Sequence, residues 1–181
     1  QLVMSRLGKL QLLKLEISPL VGAFVVDEND IVRGSLSISA KLPVKAAFKV
    51  NFDKNWTVQP GLQTGIPKTH KDMYALEYVS VTAQDNTVKT AYSLDGEPIA
   101  VDTLLLKESD ATTEANRLLN LYKQPRFIVA FTGSPRLIQL ALGQQIKIKY
   151  PRFGMDSIKN GQVIGLSVNW SNLTTKVEVL I

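Results

Sequence analysis

One stretch of the sequence has helical periodicity, and the residues beyond it have the pattern of strands alone. Across residues 109–123, Ala111, Ala115, Leu118, Leu119 and Tyr122 recur at the spacing of one helical face. Asp110 is placed to cap the first turn and Glu114 suits the positive end of the helix dipole. Pro125 ends the run by driving the preceding residue out of the α region. Strand patterns then occupy 126–132, 137–142, 145–150, 161–170 and 174–181. A single helix, 110–123, docked on sheet is the frame the rest of the chain must complete.

Upstream, 2–7 and 10–17 form a predicted hairpin around Gly8 and Lys9, and 20–26 a third strand led in by Pro19. Asp30 is placed to cap a single turn over Ile31, Val32 and Arg33, closed by Gly34. Residues 35–42 alternate polar and apolar, 44–52 continue the pattern, and 56–72 form a long loop holding Pro60, Gly61, Gly65 and Pro67. Strands at 74–82, 87–92 and 99–106 precede the helix, with turns at 84–86 and 95–98. About a dozen strand patterns against one helix give a mainly β (α+β) class, a β-barrel or sandwich with one docked α-helix. We divide the chain into a β-rich segment, 1–71, and a β module, 72–181. A start at Gln1 and an end in mid-strand at Ile181 imply a piece of a longer polypeptide.

The 181 residues carry a net charge of +5, distributed in blocks. Residues 1–71 hold ten Lys/Arg against five Asp/Glu (+5), 72–120 three against nine (−6), and 121–181 eight against two (+6). The basic residues mostly alternate with apolar ones, as in Lys147-Ile148-Lys149-Tyr150, which is the solvated face of a half-buried strand. The alternation of sign along the chain suits contacts between copies. No apolar run approaches the roughly 18 residues of a membrane span, and no charged-then-apolar leader opens the sequence.

Catalytic groups are few. Without cysteine and with His70 as the sole histidine, thiolate chemistry and multi-histidine metal sites are excluded. His70 lies in a polar loop with no nucleophile elbow elsewhere, so it is expected to be an exposed loop residue. Asp95, Glu97 and Asp102 are a conceivable carboxylate set, but Asp95 and Glu97 flank a glycine in a turn. Residues 61–65 lack the Lys-Ser/Thr ending of a phosphate loop, and 27–30 lack the turning glycine of a calcium loop. Trp56 and Trp170 are expected as partly buried aromatics at strand ends. No catalytic residue, cofactor or metal is assigned.

The order of motifs in the second half is specific. The helix carries Asp110-Ala111, Glu114-Ala115-Asn116-Arg117-Leu118-Leu119 and Tyr122, then Pro125-Arg126. Leu142-Gly143-Gln144-Gln145-Ile146, Pro151-Arg152-Phe153-Gly154-Met155, Gly161-Gln162-Val163 and Asn169-Trp170 come next. This order resembles the hub domain of the large tail-tip (host-specificity, baseplate hub) proteins of siphophages and gene-transfer agents. Gln144 stands where that pattern has an acidic residue. Residues 33–39 and 55–58 extend the resemblance into the first half, so it covers most of the chain.

The resemblance implies a virion structural protein with a tail-tube-like β-barrel or sandwich, working as a subunit of a trimer or ring. Implied partners are further copies of itself, the tail tube, distal tail proteins and the tape-measure protein, with DNA passing through the channel. The implied location is the virion tail tip, assembled in the bacterial cytoplasm. On this reading the loops 56–72 and 151–161 are candidates to meet a neighbouring subunit or line the channel. Their residues of interest are Trp56, His70 and Lys71, and Arg152, Phe153 and Lys159. The helix face Ala115, Leu118, Leu119 and Tyr122 is assigned to the core. The alternative is a non-enzymatic β-barrel module binding carbohydrate or single-stranded nucleic acid through Trp56, Trp170 and the basic final third. An enzyme ranks third.

Overall fold

The computed structural model describes residues 2–5, 8–17, 23–94 and 96–181. The predicted features at residues 6–7, 19–22 and Asp95 lie outside the described residues. The chain divides into two compact units, one of which is inserted in the sequence of the other: residues 1–43 with 125–181, and residues 44–124. These cuts fall at 43/44 and 124/125 rather than at 71/72.

The first unit is built on a six-stranded sheet. Its strands are β3 (Phe24–Val26), β4 (Ser37–Leu42), β8 (Arg126–Gly133), β9 (Gln145–Ile148), β10 (Lys159–Asn169) and β11 (Thr174–Leu180), in the order β3-β9-β10-β11-β8-β4. Only β3 and β9 run parallel. Alternation decides the faces: along β11, Thr175, Val177 and Val179 are buried, and along β9, Ile146 and Ile148. Val177, Val179, Ile146 and Ile148 join Val26, Val129, Phe131, Leu137, Leu140 and Met155 in one core. Register shifts between Ile38 and Ala40 and between Val163 and Gly165 are the kind of irregularity that bends a sheet. The sheet nevertheless stays open at β3 and β4, so the mainly β class holds without a closed barrel.

Asp30 does not cap a turn over Ile31, Val32 and Arg33: Ile31 bridges Gly133, and Val32 donates its N–H to Thr132 O. Asp30 is buried, its carboxylate receives the Asp27 N–H at 3.4 Å, and Arg136 pairs with it at 2.5 Å while lying over the Phe24 ring. Arg136 belongs to a 3₁₀ helix, Pro135–Gln139, which with the turn after it replaces the whole strand predicted at 137–142. Pro135 at its first position and the apolar Leu137 and Leu140 explain both the turn and its burial. A separate hairpin, β1 (Leu2–Met4) and β2 (Leu10–Leu12), opens this unit.

The second unit is a three-stranded sheet with a helix on it. β5 (Ala47–Phe52) is central, antiparallel to β6 (Val79–Gln84) and parallel to β7 (Ile99–Asp102). Helix α3 (Glu108–Tyr122) buries Ala111, Ala115, Leu119 and Leu121, with Val50 and Phe52 of β5 in the same core as the two alanines. Leu118 packs at the edge of this core, and the Tyr122 ring lies 5.4 Å from that of Phe48. The helix is capped differently from expectation. Lys107 is the N-cap and makes no side-chain cap bond, so Asp110 lies inside the first turn with Glu108, where both oppose the helix dipole favourably.

Two further α-helices correct the single-helix expectation. The first, α1 (Lys68–Ala75), lies in the predicted loop and the start of the predicted strand at 74–82. The second, α2 (Asn86–Ala91), replaces the predicted strand at 87–92. Asp85 starts α2 by accepting the N–H groups of Thr87 and Val88, a capping signal that outweighs the β-favouring Thr-Val-Lys-Thr composition.

Candidate interaction surfaces

In the second unit, the excursion after β5 is closed at its base by one residue. Asn55 donates its backbone N–H to Glu77 O at 2.8 Å and its carboxamide to Tyr74 O at 2.9 Å and Leu76 O at 3.3 Å. Gln59 N–H adds a bond to Tyr74 O at 2.9 Å. The segment between is therefore a tied loop whose returning limb is α1, held at Tyr74. Pro67 precedes α1, fixing the entry, and no residue of α1 is buried. His70 lies exposed on this helix and Lys71 is half-buried. Met73, Tyr74 and Leu76 face outward too. A helix of eight residues is marginal in water without packing.

Trp56 stands on the same excursion, 77 % exposed. Beneath it the Lys54 ammonium lies 4.6 Å from the Trp56 ring centre and 5.2 Å from that of Tyr78, with Glu77 at 3.5 Å. The hydrogen bond to Tyr78 holds the ammonium pKa above its ordinary value, against the opposing effect of desolvation, and Tyr78 and Glu77 charges add to it. A cation between two aromatic faces fixes their relative position. Trp56 is thus a presented platform rather than the partly buried aromatic expected.

In the first unit, residues 150–155 make a tight reversal. Tyr150 N–H bonds Met155 O at 2.9 Å, and Met155 N–H bonds Arg152 O at 3.1 Å. Met155 is buried as the anchor, while Phe153, left-handed at φ 58°, is turned out and half exposed beside exposed Arg152. Lys159 is not in the loop: it opens β10, opposite Ile148. A cavity of about 300 Å³ lined by Asp27, Glu28, Asn29, Lys149, Pro151 and Asp156 adjoins this reversal. Trp170 lies exposed in the turn between β10 and β11, again contrary to expectation.

Trp56, His70 and Lys71 therefore share one excursion of the second unit, and Arg152 and Phe153 one turn of the first. The sequence reading missed two apolar surfaces, the β1–β2 hairpin and Leu104 with Leu106. Alternation within Leu104-Leu105-Leu106 is invisible because all three are leucine. Only Leu105 turns inward. Among the described residues, no cluster of His, Cys, Asp or Glu is placed to hold a metal ion, and no helix is long and apolar enough to cross a membrane.

No protein-family model matches this chain, and no curated protein matches its sequence. Its fold has a solved counterpart. The chain is similar to one in the virion of a native gene transfer agent (GTA) particle, with a TM-score of 0.56 and 13 % identity. The match covers 87 % of this chain and 31 % of the neighbour, so this chain spans about a third of that protein's length. At that identity the likeness is one of fold.

Proposed function

We propose that this chain is a structural component of a phage-like virion, part of a ring-forming hub at the tail tip that caps or extends the tail tube. The observation that carries this reading is the fold shared over 87 % of the chain with a protein of a gene transfer agent virion. The ordered motifs from Asp110 to Trp170 support the hub in particular. In this role the chain works by contact: its partners are further copies, tube and distal tail proteins and the tape-measure protein, with DNA passing through the channel. The excursion bearing Trp56, His70 and Lys71 and the turn bearing Arg152 and Phe153 are the elements assigned to neighbouring subunits or the channel wall.

Light scattering of the purified chain across concentration and at two salt levels tests this. A trimer or larger closed species, loosened by salt, is the expected result. The competing reading, a binding module presenting Trp56 and Trp170, draws on the exposure of both rings. It requires a monomer whose oligonucleotide affinity falls steeply with salt, or one that binds carbohydrate.

A further inference from the structure

The hairpin β1–β2 has an exposed apolar face. The register pairs Leu2 with Leu12 and Met4 with Leu10, and paired residues share a face, so all four side chains point the same way. They are 64–81 % exposed. A two-stranded hairpin is at best marginally stable alone in water, and a contiguous apolar patch of this kind marks an interaction site. The residues joining its strands, 5–9, hold two cations in the sequence, Arg6 and Lys9, and no carboxylate.

A surface of the opposite charge exists in the second unit. After β7 the chain stays alongside β5, with Thr103 N–H bonded to Asn51 O at 3.0 Å and Asp53 N–H to Leu105 O at 2.7 Å. That pairing turns Leu105 inward and leaves Leu104 and Leu106 each 76 % exposed. Asp102 and Glu108 flank these leucines in sequence, and Asp110 and Glu114 line the cavity of about 510 Å³ beside Leu104. Lys107 is the lone cation among residues 102–114.

We infer that the β1–β2 hairpin of one copy docks its Leu2, Met4, Leu10 and Leu12 face on Leu104 and Leu106 of a second copy. Lys9, next to Leu10, meets Asp110 and Glu114 beside Leu104. Apolar area and the opposite charges both supply attraction, and the charges, which salt screens, also set the orientation. Because donor and acceptor surfaces differ, the contact is heterologous, the type that closes into a ring when its rotation allows. The contact rests on the ring-subunit reading and names the surfaces that would join its subunits.

The sequence lacks cysteine, so introduced ones are unique. Chains carrying Leu12→Cys and chains carrying Leu106→Cys are mixed and oxidised, each also alone. The mixed disulfide dimer is expected to dominate, with little product from either chain alone. In parallel, Leu10→Ser/Leu12→Ser and Leu104→Ser/Leu106→Ser, all at exposed positions, should each weaken self-association about tenfold or more, the change a loss of about 1.4 kcal/mol produces. Circular dichroism checks that each variant keeps its fold. Dominant self-crosslinking of Leu12→Cys overturns the pairing in favour of hairpin on hairpin. An oligomer of unchanged strength in both serine variants overturns this contact while leaving the ring intact. A monomer at every concentration overturns both.

Discussion

Gln162 ties Glu16 to the main sheet: its side-chain oxygen accepts the Glu16 N–H at 3.0 Å from a position 5 % exposed. Its amide group donates to Lys14 O and to Gly143 O, each at 3.0 Å, and Gln145 adds a bond to Glu16 O at 3.1 Å. The segment after the hairpin is therefore held by side-chain amides standing in for a neighbouring strand. Gln162→Leu keeps the volume and removes all three bonds, leaving two carbonyls and an N–H without them. A loss of about 1–3 kcal/mol is expected, with faster amide exchange at Glu16. Unchanged exchange at Glu16 would show that Gln162 does not hold this segment.

Leu119 of α3 is 8 % exposed. Leu119→Ala should cost about 2–5 kcal/mol in chemical denaturation, the range for a buried leucine whose cavity does not fully collapse. A cost below about 0.5 kcal/mol, an ordinary surface value, would remove it from the core.

Gly161 on β10 lies against β11. A Cβ there would sit 2.6 Å from Val179 Cγ1 and 2.9 Å from Leu180 O, so the neighbouring backbone itself must shift. Gly161→Ala should cost about 1–3 kcal/mol, as overpacking does. At Gly165 a Cβ meets only the Glu178 side chain, whose carboxylate can swing away. Gly165→Ala should therefore cost less, and denaturant midpoints at constant slope compare the two. Equal costs would contradict the close approach at Gly161.

Lys54 has a pH signature. Its pKa is raised first by the hydrogen bond to Tyr78, so the charged contact is fully present below the ordinary lysine value of 10.5 and is lost only as pH rises through the higher folded value. In a Trp170→Phe background, Trp56 emission should differ from that of the added Lys54→Met variant up to that range and converge above it. Convergence below pH 10.5 would contradict the raised value.

Legibility followed the strength of the local physics. Helix α3 was readable because five apolar positions share its face and Pro125 lies beyond it, and β10 and β11 because they are long. Helix α1 was hidden because it buries nothing, so no apolar stripe is required of it. Helix α2 was hidden because one capping carboxylate, Asp85, decides a stretch whose composition favours strand. The run holding Leu137 and Leu140 was read as a strand and is a 3₁₀ turn, since an apolar composition alone does not select a period in so short a run. Of the surfaces, the Trp56 loop was found by its length and the hairpin face was not, because apolar residues in sequence predict burial and these four are exposed.

The central claim is that copies of this chain close into a ring. Native mass spectrometry of the purified 181-residue chain, from low to high concentration, tests it most directly. One closed stoichiometry, a trimer or a multiple of three, that persists as concentration rises and dissociates as ionic strength is raised is the predicted result. A monomer throughout, or an open ladder of species growing with concentration, would contradict it.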